Sequence, residues 1–223
     1  MAAFTLINCS SREDWLRSRT NGIGGSDASA VVGRNPYKSN IDLFEEKTGR
    51  RRAEDISDKP YVIYGHKAEP LIRQLFELDY PEYSVGYSEF SIFRSKRYPF
   101  MQATLDGMLI EKETGRRGIL EIKTTNILAS QQREKWKDRV PDNYYLQVLH
   151  YLIVTGWDFA ILRALLRSDW DDGMDRRGAI RNYYIDRSDP QVKADIDYLI
   201  NEEIKFWEYV EAGRRPPLVL PEI

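Results

Sequence analysis

The chain has 223 residues, a formal net charge of −2 at pH 7, one cysteine and two histidines. This length suits one well-packed α/β domain, so we predict a single domain over residues 1–223. The lone Cys9 excludes an internal disulfide, and with so few histidines a structural zinc site is disfavoured. No stretch has the apolar length of a membrane span and the first residues lack the pattern of a secretory signal, so we expect a cytoplasmic protein.

The first third of the sequence predicts helices joined by loops. An S-x-x-D pattern beginning at Ser11 is typical of a capped helix start. The glycine-rich stretch 22–33 predicts a turn that leads into a short helix capped by Ser26. Two further helices are predicted over residues 40–46 and 61–78.

Beyond residue 80 the apolar pattern changes from a helical period to alternation. Strands are predicted over residues 85–93, 100–111 and 118–125, and a hairpin connection at 113–117 joins the last two. The elements predicted after them are, in chain order, a helix at 141–154, strands at 157–166 and 179–185 around a charged loop at 169–177, and a helix at 189–212.

Asp106 and the segment Glu121-Ile122-Lys123 form the most informative pattern in the sequence. Leu120 and Ile122 alternate with Glu121 and Lys123, so a strand would turn the apolar pair to the core and the charged pair to the opposite face. Two carboxylates supply the hard oxygen ligands that Mg²⁺ or Mn²⁺ prefers. A nearby lysine can orient or deprotonate the attacking water. The pattern therefore indicates a metal-dependent site that cuts phosphodiester bonds.

A structural interpretation of the same residues stays open at this point. Asp106 followed by glycine between two strand-like runs is also typical of a turn. Glu121 and Lys123 on one strand are also typical of a solvated face that carries a cross-strand ion pair.

The small net charge does not exclude a nucleic-acid partner, because attraction of a ligand depends on the local field. Basic residues do cluster along the sequence, and clusters that line one channel would bind a phosphate backbone in a salt-sensitive way. The clusters are Lys47, Arg50, Arg51 and Arg52; Arg94, Lys96 and Arg97; Arg116 and Arg117; and Arg133, Lys135, Lys137 and Arg139.

Further features stand beside the acid-acid-lysine pattern. Glu69 lies on the helix before the strands and can point at the same metal. Gln147 and Tyr151 are four residues apart, so they share one helix face, from which a glutamine can bond a phosphate oxygen or a water. Arg19 precedes the glycine-rich turn that leads to Ser26, where a guanidinium and backbone N–H groups can form an anion pocket. Each feature alone also fits a purely structural role.

Together these residues resemble the lambda exonuclease and YqaJ-like viral recombinase exonucleases, a branch of the PD-(D/E)xK nucleases. The resemblance covers about residues 15–155, and its distinctive parts are the segment 22–28 and the Gln147-x-x-x-Tyr151 helix. Leu105 stands where the family usually has a proline. The resemblance implies an α/β (α+β) fold with a restriction-endonuclease-like core, in which helices flank a central mixed sheet.

The resemblance also implies an activity. Members digest the 5′-ended strand of linear duplex DNA, so the chain would be a Mg-dependent 5′-to-3′ double-strand DNA exonuclease acting at DNA ends. It would form a homotrimer ring and leave a 3′ single strand for a single-strand annealing protein, during phage-type recombination in the cytoplasm of a bacterial host. A DNA endonuclease of the same fold and an inactive DNA-end-binding module stay open as alternatives.

Catalytic roles follow from the resemblance at the matching positions. Asp106 and Glu121 would hold Mg²⁺, with Mn²⁺ as a substitute, together with the backbone carbonyl of Ile122. Lys123 would activate the attacking water. Glu69 would support the metal shell or the nucleophile.

The resemblance implies DNA-binding roles as well. Gln147, with Tyr151, would fix the scissile region of the strand. Arg19 and Ser26 would receive the terminal 5′-phosphate. Thr104, two residues before the first catalytic aspartate and on the same strand face, is a further candidate for a phosphate contact.

Overall fold

The computed structural model describes residues 2–127, 134–168 and 179–220. The strands are β1 (Phe4–Asn8), β2 (Tyr83–Gly86), β3 (Ser91–Ser95), β4 (Gln102–Ala103), β5 (Gly107–Glu111), β6 (Arg117–Ile127), β7 (Phe159–Ser168) and β8 (Ala179–Asp186). The helices are α1 (Arg12–Arg19), α2 (Gly25–Val31), α3 (Asn40–Lys47), α4 (Pro60–Asp79), α5 (Asp142–Thr155) and α6 (Pro190–Glu211). None of the helices in the described ranges is long and apolar enough to cross a membrane.

Two sheets organise the strands. A three-stranded antiparallel sheet has the order β1-β3-β4, and a five-stranded mixed sheet has the order β2-β5-β6-β7-β8. In the mixed sheet, only the central pair β6 and β7 is parallel. Parallel neighbours need a crossover connection, and α5 lies in the one between them. A mixed sheet flanked by helices confirms the predicted fold class.

Helices cover both faces of the mixed sheet. On one face, α4 packs against Leu120 and Ile122 of β6 through residues that include Phe76. On the other face, α2, α5 and α6 form a larger core with Ile119 of β6. Because β6 alternates between two buried faces, Glu121 is enclosed beneath α5 instead of facing solvent.

Two predicted strands are each broken into two, and one strand was not predicted. Residues 85–93 form the end of β2 and the start of β3, which belong to different sheets, and Phe90 between them has a left-handed φ of 54°. Residues 100–111 form β4 and β5, also in different sheets, so Asp106 lies where the chain crosses between them. The prediction of only helices and loops in the first third was wrong, because β1 pairs with the distant β3.

The prediction that Ser26 caps the short helix was also wrong. Gly24 is the N-cap, and Asp27 accepts a hydrogen bond from the Gly24 N–H through Oδ2 at 3.0 Å. A β-carbon on the next residue, Gly25, would lie 2.3 Å from Cε1 of Tyr151. Glycine is therefore required for α2 to begin this close to α5.

The other predicted elements agree with the structure. Helices are present at all the other predicted positions, and Gly115, at φ 73°, lies in the predicted hairpin connection between β5 and β6. The predicted loop at 169–177 and the basic residue Arg133 lie outside the described residues.

Candidate active site

A cavity of about 490 Å³ opens where the chain passes from β4 to β5. Four segments that are distant in sequence bring the predicted catalytic residues and Tyr151 to its wall. They are Glu69 from α4, Asp106 from the β4–β5 connection, Glu121 and Lys123 from β6, and Gln147 and Tyr151 from α5.

Asp106 is held against the edge of β6. The pairing of β5 with β6 ends at Gly107 and Leu120, so the next part of this edge has no partner from β5. The Asp106 carboxylate takes that place, since its Oδ2 accepts a hydrogen bond from the Ile122 N–H at 2.9 Å. The N–H and C=O of one strand residue point to the same edge, so the Ile122 carbonyl also faces Asp106.

Glu121 is almost completely buried, with 1% of its surface exposed. Its Oε1 accepts hydrogen bonds from Lys123 Nζ at 2.6 Å and from Gln147 Nε2 at 2.7 Å, whereas Oε2 has no hydrogen-bond partner within the described part of the chain. Burial, followed by the negative charge of Asp106, raises the pKa of Glu121 to about 8. The burial excludes the interpretation of Glu121 and Lys123 as a solvated surface pair.

Lys123 is held as a cation between the acids. Burial by itself would lower the pKa of Lys123, but the charges of Glu121 and Asp106 outweigh it and the net shift is upward. The ammonium nitrogen also lies 5.0 Å from the ring centroid of Tyr144. Lys123 in this arrangement is a hydrogen-bond donor that can orient a water molecule or a phosphate oxygen.

Glu69 completes the acidic group from α4. Burial and then the charge of Asp106 raise the pKa of Glu69 to about 7, although Arg73 opposes the shift. Arg73 Nη2 donates a hydrogen bond to Glu69 Oε1 at 2.6 Å. Sequence reasoning missed Arg73, and its spacing of four residues from Glu69 is the signal that would have found it.

Gln147 and Tyr151 hold the buried carboxylate. The Gln147 amide donates to Glu121 and also to the Tyr151 hydroxyl, at 2.9 Å from Nε2 to Oη. Burial raises the pKa of Tyr151 well above its usual value, so its hydroxyl stays neutral. Both side chains are therefore fixed around Glu121 at the base of the cavity.

The oxygen donors of the site are of the kind that binds a divalent cation. Within the described ranges, no three His, Cys, Asp or Glu side chains are grouped closely enough to hold a metal ion by themselves. The site offers two carboxylates, Asp106 and Glu121, and the carbonyl of Ile122 on the same edge. The buried Glu121 oxygen without a partner and the raised pKa values of both acids are the features that a bound cation would relieve. These oxygen donors fit Mg²⁺ or Mn²⁺.

A second cavity of about 610 Å³ adjoins the first, and both are lined by Arg19 and Thr104. The Arg19 guanidinium lies 4.4 Å from the ring centroid of Trp15. Ser26 is exposed and lines the second cavity only. The predicted phosphate-binding residues Arg19, Ser26 and Thr104 therefore line two adjoining cavities, of which the first contains the acidic group.

Among the described basic clusters, only the first one lines either cavity. Its members Lys47, Arg51 and Arg52 lie on the wall of the second cavity. Lys47 is paired there with Asp27, at 2.7 Å from Nζ to Oδ2. The basic clusters are therefore not gathered into one channel within the described part of the chain.

Three aromatic residues of the first cavity had no signal in the sequence. Tyr87 and Phe90 lie on its wall in the connection between β2 and β3, and Trp15 of α1 lies beside Phe90, with ring centroids 6.3 Å apart. His66, one helical turn before Glu69, is exposed on the same wall. Cys9, in contrast, lines neither of these two cavities.

Comparison with known proteins places the chain in a family. Residues 14–158 match the model of the YqaJ-like viral recombinase domain. Over 215 residues the chain is 32% identical to the uncharacterized protein YqaJ of Bacillus subtilis strain 168, an alignment that covers 93% of this chain. The chain spans 59% of the length of that relative.

Solved structures share the fold. The alkaline exonuclease LHK-Exo from Laribacter hongkongensis is similar with a TM-score of 0.65 and 17% identity, covering 90% of this chain and 93% of its own. The complex of LHK-Exo with dAMP has a TM-score of 0.64, at the same identity and coverage. A phage-related exonuclease from Haemophilus somnus 129PT has a TM-score of 0.52 and 14% identity, covering 86% and 96%. With its matched domain and its relative, the chain belongs to the YqaJ-like viral recombinase family.

Proposed function

We propose that this protein is a metal-dependent 5′-to-3′ exonuclease that digests one strand of linear duplex DNA. Its product is a 3′ single strand, which an annealing protein uses in phage-type recombination. The observation that carries the proposal is the convergence of Asp106, Glu121 and Lys123 in one cavity. Membership of a viral recombinase family and a fold shared with two exonucleases support it.

The residues of the first cavity divide the chemistry between them. Asp106, Glu121 and the Ile122 carbonyl would hold Mg²⁺ or Mn²⁺, which supplies charge stabilisation at the phosphorus oxygens when bound. Lys123 keeps its proton and donates a hydrogen bond to the attacking water or to a phosphate oxygen. Glu69, with a pKa of about 7, can accept a proton near neutral pH.

The second cavity explains why the proposed exonuclease would require a DNA end. Arg19 and Ser26 would bind a terminal 5′-phosphate, and Thr104 lies on the wall that both cavities have in common. A phosphate held there would place the neighbouring phosphodiester beside Glu121, whose position Gln147 and Tyr151 fix. The complex of LHK-Exo with dAMP supports a nucleoside monophosphate as the product.

The proposal includes an assembly and a location. We expect a ring of three copies around duplex DNA in the cytoplasm of a bacterial host. A ring would keep the enzyme on one DNA molecule, since release then requires sliding off an end. Sedimentation analysis that gives three times the chain mass supports the ring, and a monomer mass at working concentration contradicts it.

The experiment that tests the activity uses linear and closed circular duplex DNA, each with Mg²⁺ or EDTA. The two strands of the linear duplex are labelled separately at the 5′ and 3′ ends. We expect release of the 5′ label, an intact circle and no cleavage with EDTA. Nicking of the circle indicates an endonuclease, and binding of ends without cleavage indicates an inactive module. Earlier release of the 3′ label contradicts the proposed polarity.

A further inference from the structure

Arg73 is a cation of α4 that touches two residues of the candidate active site. Its Nε donates to the backbone carbonyl of Asp106 and its Nη2 donates to Oε1 of Glu69, both at 2.6 Å. We propose that Arg73 is a positioning residue, which sets the distance between these two acids, and that Tyr87 fixes its guanidinium. The inference rests on the proposed nuclease function.

The two hydrogen bonds leave the guanidinium little freedom. They come from different nitrogens of one planar group, so they fix its orientation as well as its position. The side chain of Arg73 is 14% exposed and that of Glu69 is 24% exposed, so both bonds are largely shielded from water. Glu69 and Arg73 are one helical turn apart on α4, which holds their backbones rigidly.

Asp106 needs such a support because of its place in the chain. It lies in the connection between β4 and β5, and the pairing of β5 with β6 begins only at Gly107. Its carboxylate is held by the Ile122 N–H and its carbonyl is held by Arg73. Loss of the second contact would let the Asp106 backbone turn and would move the carboxylate away from Glu121.

Tyr87 covers the guanidinium from the other side. Cζ of Arg73 lies 3.6 Å from the ring centroid of Tyr87, a distance typical of a cation–π contact. Tyr87 follows β2 and lies on the wall of the first cavity. Arg73 therefore ties together three segments, namely α4, the β4–β5 connection and the chain after β2.

Arg73 acts through these residues and not directly on the substrate. It lines neither of the two cavities, whereas Arg19 lines both. The nitrogens that form its two hydrogen bonds are directed at protein oxygens. A substitution of Arg73 should therefore change the rate of cleavage and the affinity for metal more than the affinity for DNA.

The test measures kcat and KM on linear duplex at saturating Mg²⁺, together with the affinity for Mn²⁺ by calorimetry. In Arg73→Ala we expect kcat and Mn²⁺ affinity to fall by about 10- to 100-fold, the range for a residue that supports metal ligands. KM for DNA should stay within about 3-fold, and added guanidinium ion should restore part of kcat. Arg73→Lys keeps the charge but not the planar group, so we expect a loss of about 10-fold.

Arg17→Ala serves as the control variant. It removes an exposed arginine paired with a glutamate four residues away, outside both cavities, and should keep wild-type kcat. Tyr87→Ala tests the second part of the proposal, because it removes the ring that covers the guanidinium, and kcat should fall in the same direction as in Arg73→Ala but by less. Thermal unfolding of each variant separates a loss of fold from a loss of positioning.

The outcomes separate this inference from the proposed function. If wild-type protein digests DNA and a folded Arg73→Ala keeps kcat and Mn²⁺ affinity within about 2-fold, Arg73 is not a positioning residue. If Arg73→Ala does not fold, an Arg73→Lys variant with wild-type kcat and Mn²⁺ affinity overturns the inference equally. If wild type and Arg17→Ala both fail to digest DNA, the nuclease proposal fails, and Mn²⁺ affinity alone then decides the role of Arg73.

Discussion

Two buried ionic clusters contact the same helix, α5, and differ in how completely their polar atoms are paired. In the first, His150 Nδ1 lies 2.8 and 3.0 Å from the two carboxylate oxygens of Glu203, and Nε2 lies 3.0 Å from the carbonyl of Gln102. His150 and Glu203 are both 0% exposed. Both ring nitrogens face acceptors, an arrangement that favours the charged imidazole, in which both nitrogens carry hydrogen.

The second cluster is the candidate active site. Burial and then the charge of Asp106 raise the pKa values of Glu69 and Glu121, and the buried Oε2 of Glu121 has no hydrogen-bond partner among the described residues. A fully paired buried cluster fits a structural role, whereas crowded carboxylates with an unpaired oxygen fit the cation site proposed above.

Of the variants that distinguish the two clusters, Asp106→Asn should have the largest effect on cleavage. Loss of the carboxylate charge should reduce cleavage by a factor on the order of 10³, the upper end for one electrostatic group of a preorganised site. The amide oxygen can still accept from Ile122, and repulsion between acids is relieved, so the free energy of unfolding should not fall. Digestion kinetics measure the rate of cleavage, and urea unfolding measures the free energy of unfolding. A cleavage rate equal to that of wild type, or a clear loss of stability, would contradict the contrast between the two clusters.

Glu203→Gln should lower stability and leave cleavage nearly unchanged, the reverse of Asp106→Asn. Removing one partner of a buried ion pair should lower the free energy of unfolding by about 3 kcal/mol. Cleavage per folded molecule should change little, since His150 and Glu203 line neither of the two cavities of the site. Urea unfolding with a parallel rate assay checks this. A rate loss without a stability loss would assign His150 to the active site instead.

Gly25→Ala tests how the site depends on close packing between α2 and α5. The new β-carbon would lie 2.3 Å from Tyr151 and 3.0 Å from Gln147, so these side chains must move. We expect a loss of about 1–3 kcal/mol in the free energy of unfolding and slower cleavage. Gly24→Ala is the comparison variant: among the described residues its β-carbon meets only Asp27, at 3.7 Å, so it carries the cost of an alanine at the N-cap of α2 without the clash. Equal stability of both variants contradicts the packing argument.

Arg19→Ala tests whether the second cavity binds the terminal 5′-phosphate. Loss of the guanidinium should slow digestion of 5′-phosphorylated ends by about 10-fold, as expected for one charged hydrogen bond, and affect 5′-hydroxyl ends less. Rates on the two otherwise identical substrates give the ratio. An equal loss on both kinds of end would remove Arg19 from the phosphate pocket.

The smallest expected effect is a pH dependence of stability. Burial alone would lower the pKa of His150, but Glu203, the Gln102 carbonyl and Asp27 raise it above its usual 6.5. Charged His150 therefore stabilises the fold fully below about pH 6.5, and this contribution is lost as the pH rises through the higher folded-state pKa. The free energy of unfolding is measured against pH for wild type and for Glu203→Gln. The difference between the two slopes gives the contribution of His150, which is at most about 1.4 kcal/mol per pH unit. Parallel stability curves would contradict a charged His150.

Local pattern predicted the elements whose signals are local. The alternation in β6 and the helical period of α5 and α6 mark elements that bury a regular set of apolar side chains. Sheet membership was not predictable in this way, because it depends on distant partners. Phe4 of β1 pairs with Ser95, and no feature of either short segment specifies the other.

The candidate site shows the same limit. Asp106, Glu121 and Lys123 were found because their residue types and spacing match a family pattern. The contacts of Arg73 with Asp106 and of Gln147 with Glu121 span 33 and 26 residues. Such contacts follow from the packing of α4 and α5 on the two faces of the mixed sheet, which the sequence pattern alone does not specify.

The most direct test of the site is anomalous diffraction from crystals soaked with Mn²⁺. We expect one strong peak between the carboxylates of Asp106 and Glu121, at a distance of about 2.0–2.3 Å from their oxygens and from the Ile122 carbonyl. The same soak of Asp106→Asn should show no peak there. A peak elsewhere, or none near these oxygens in the wild-type protein, would contradict a divalent-cation site.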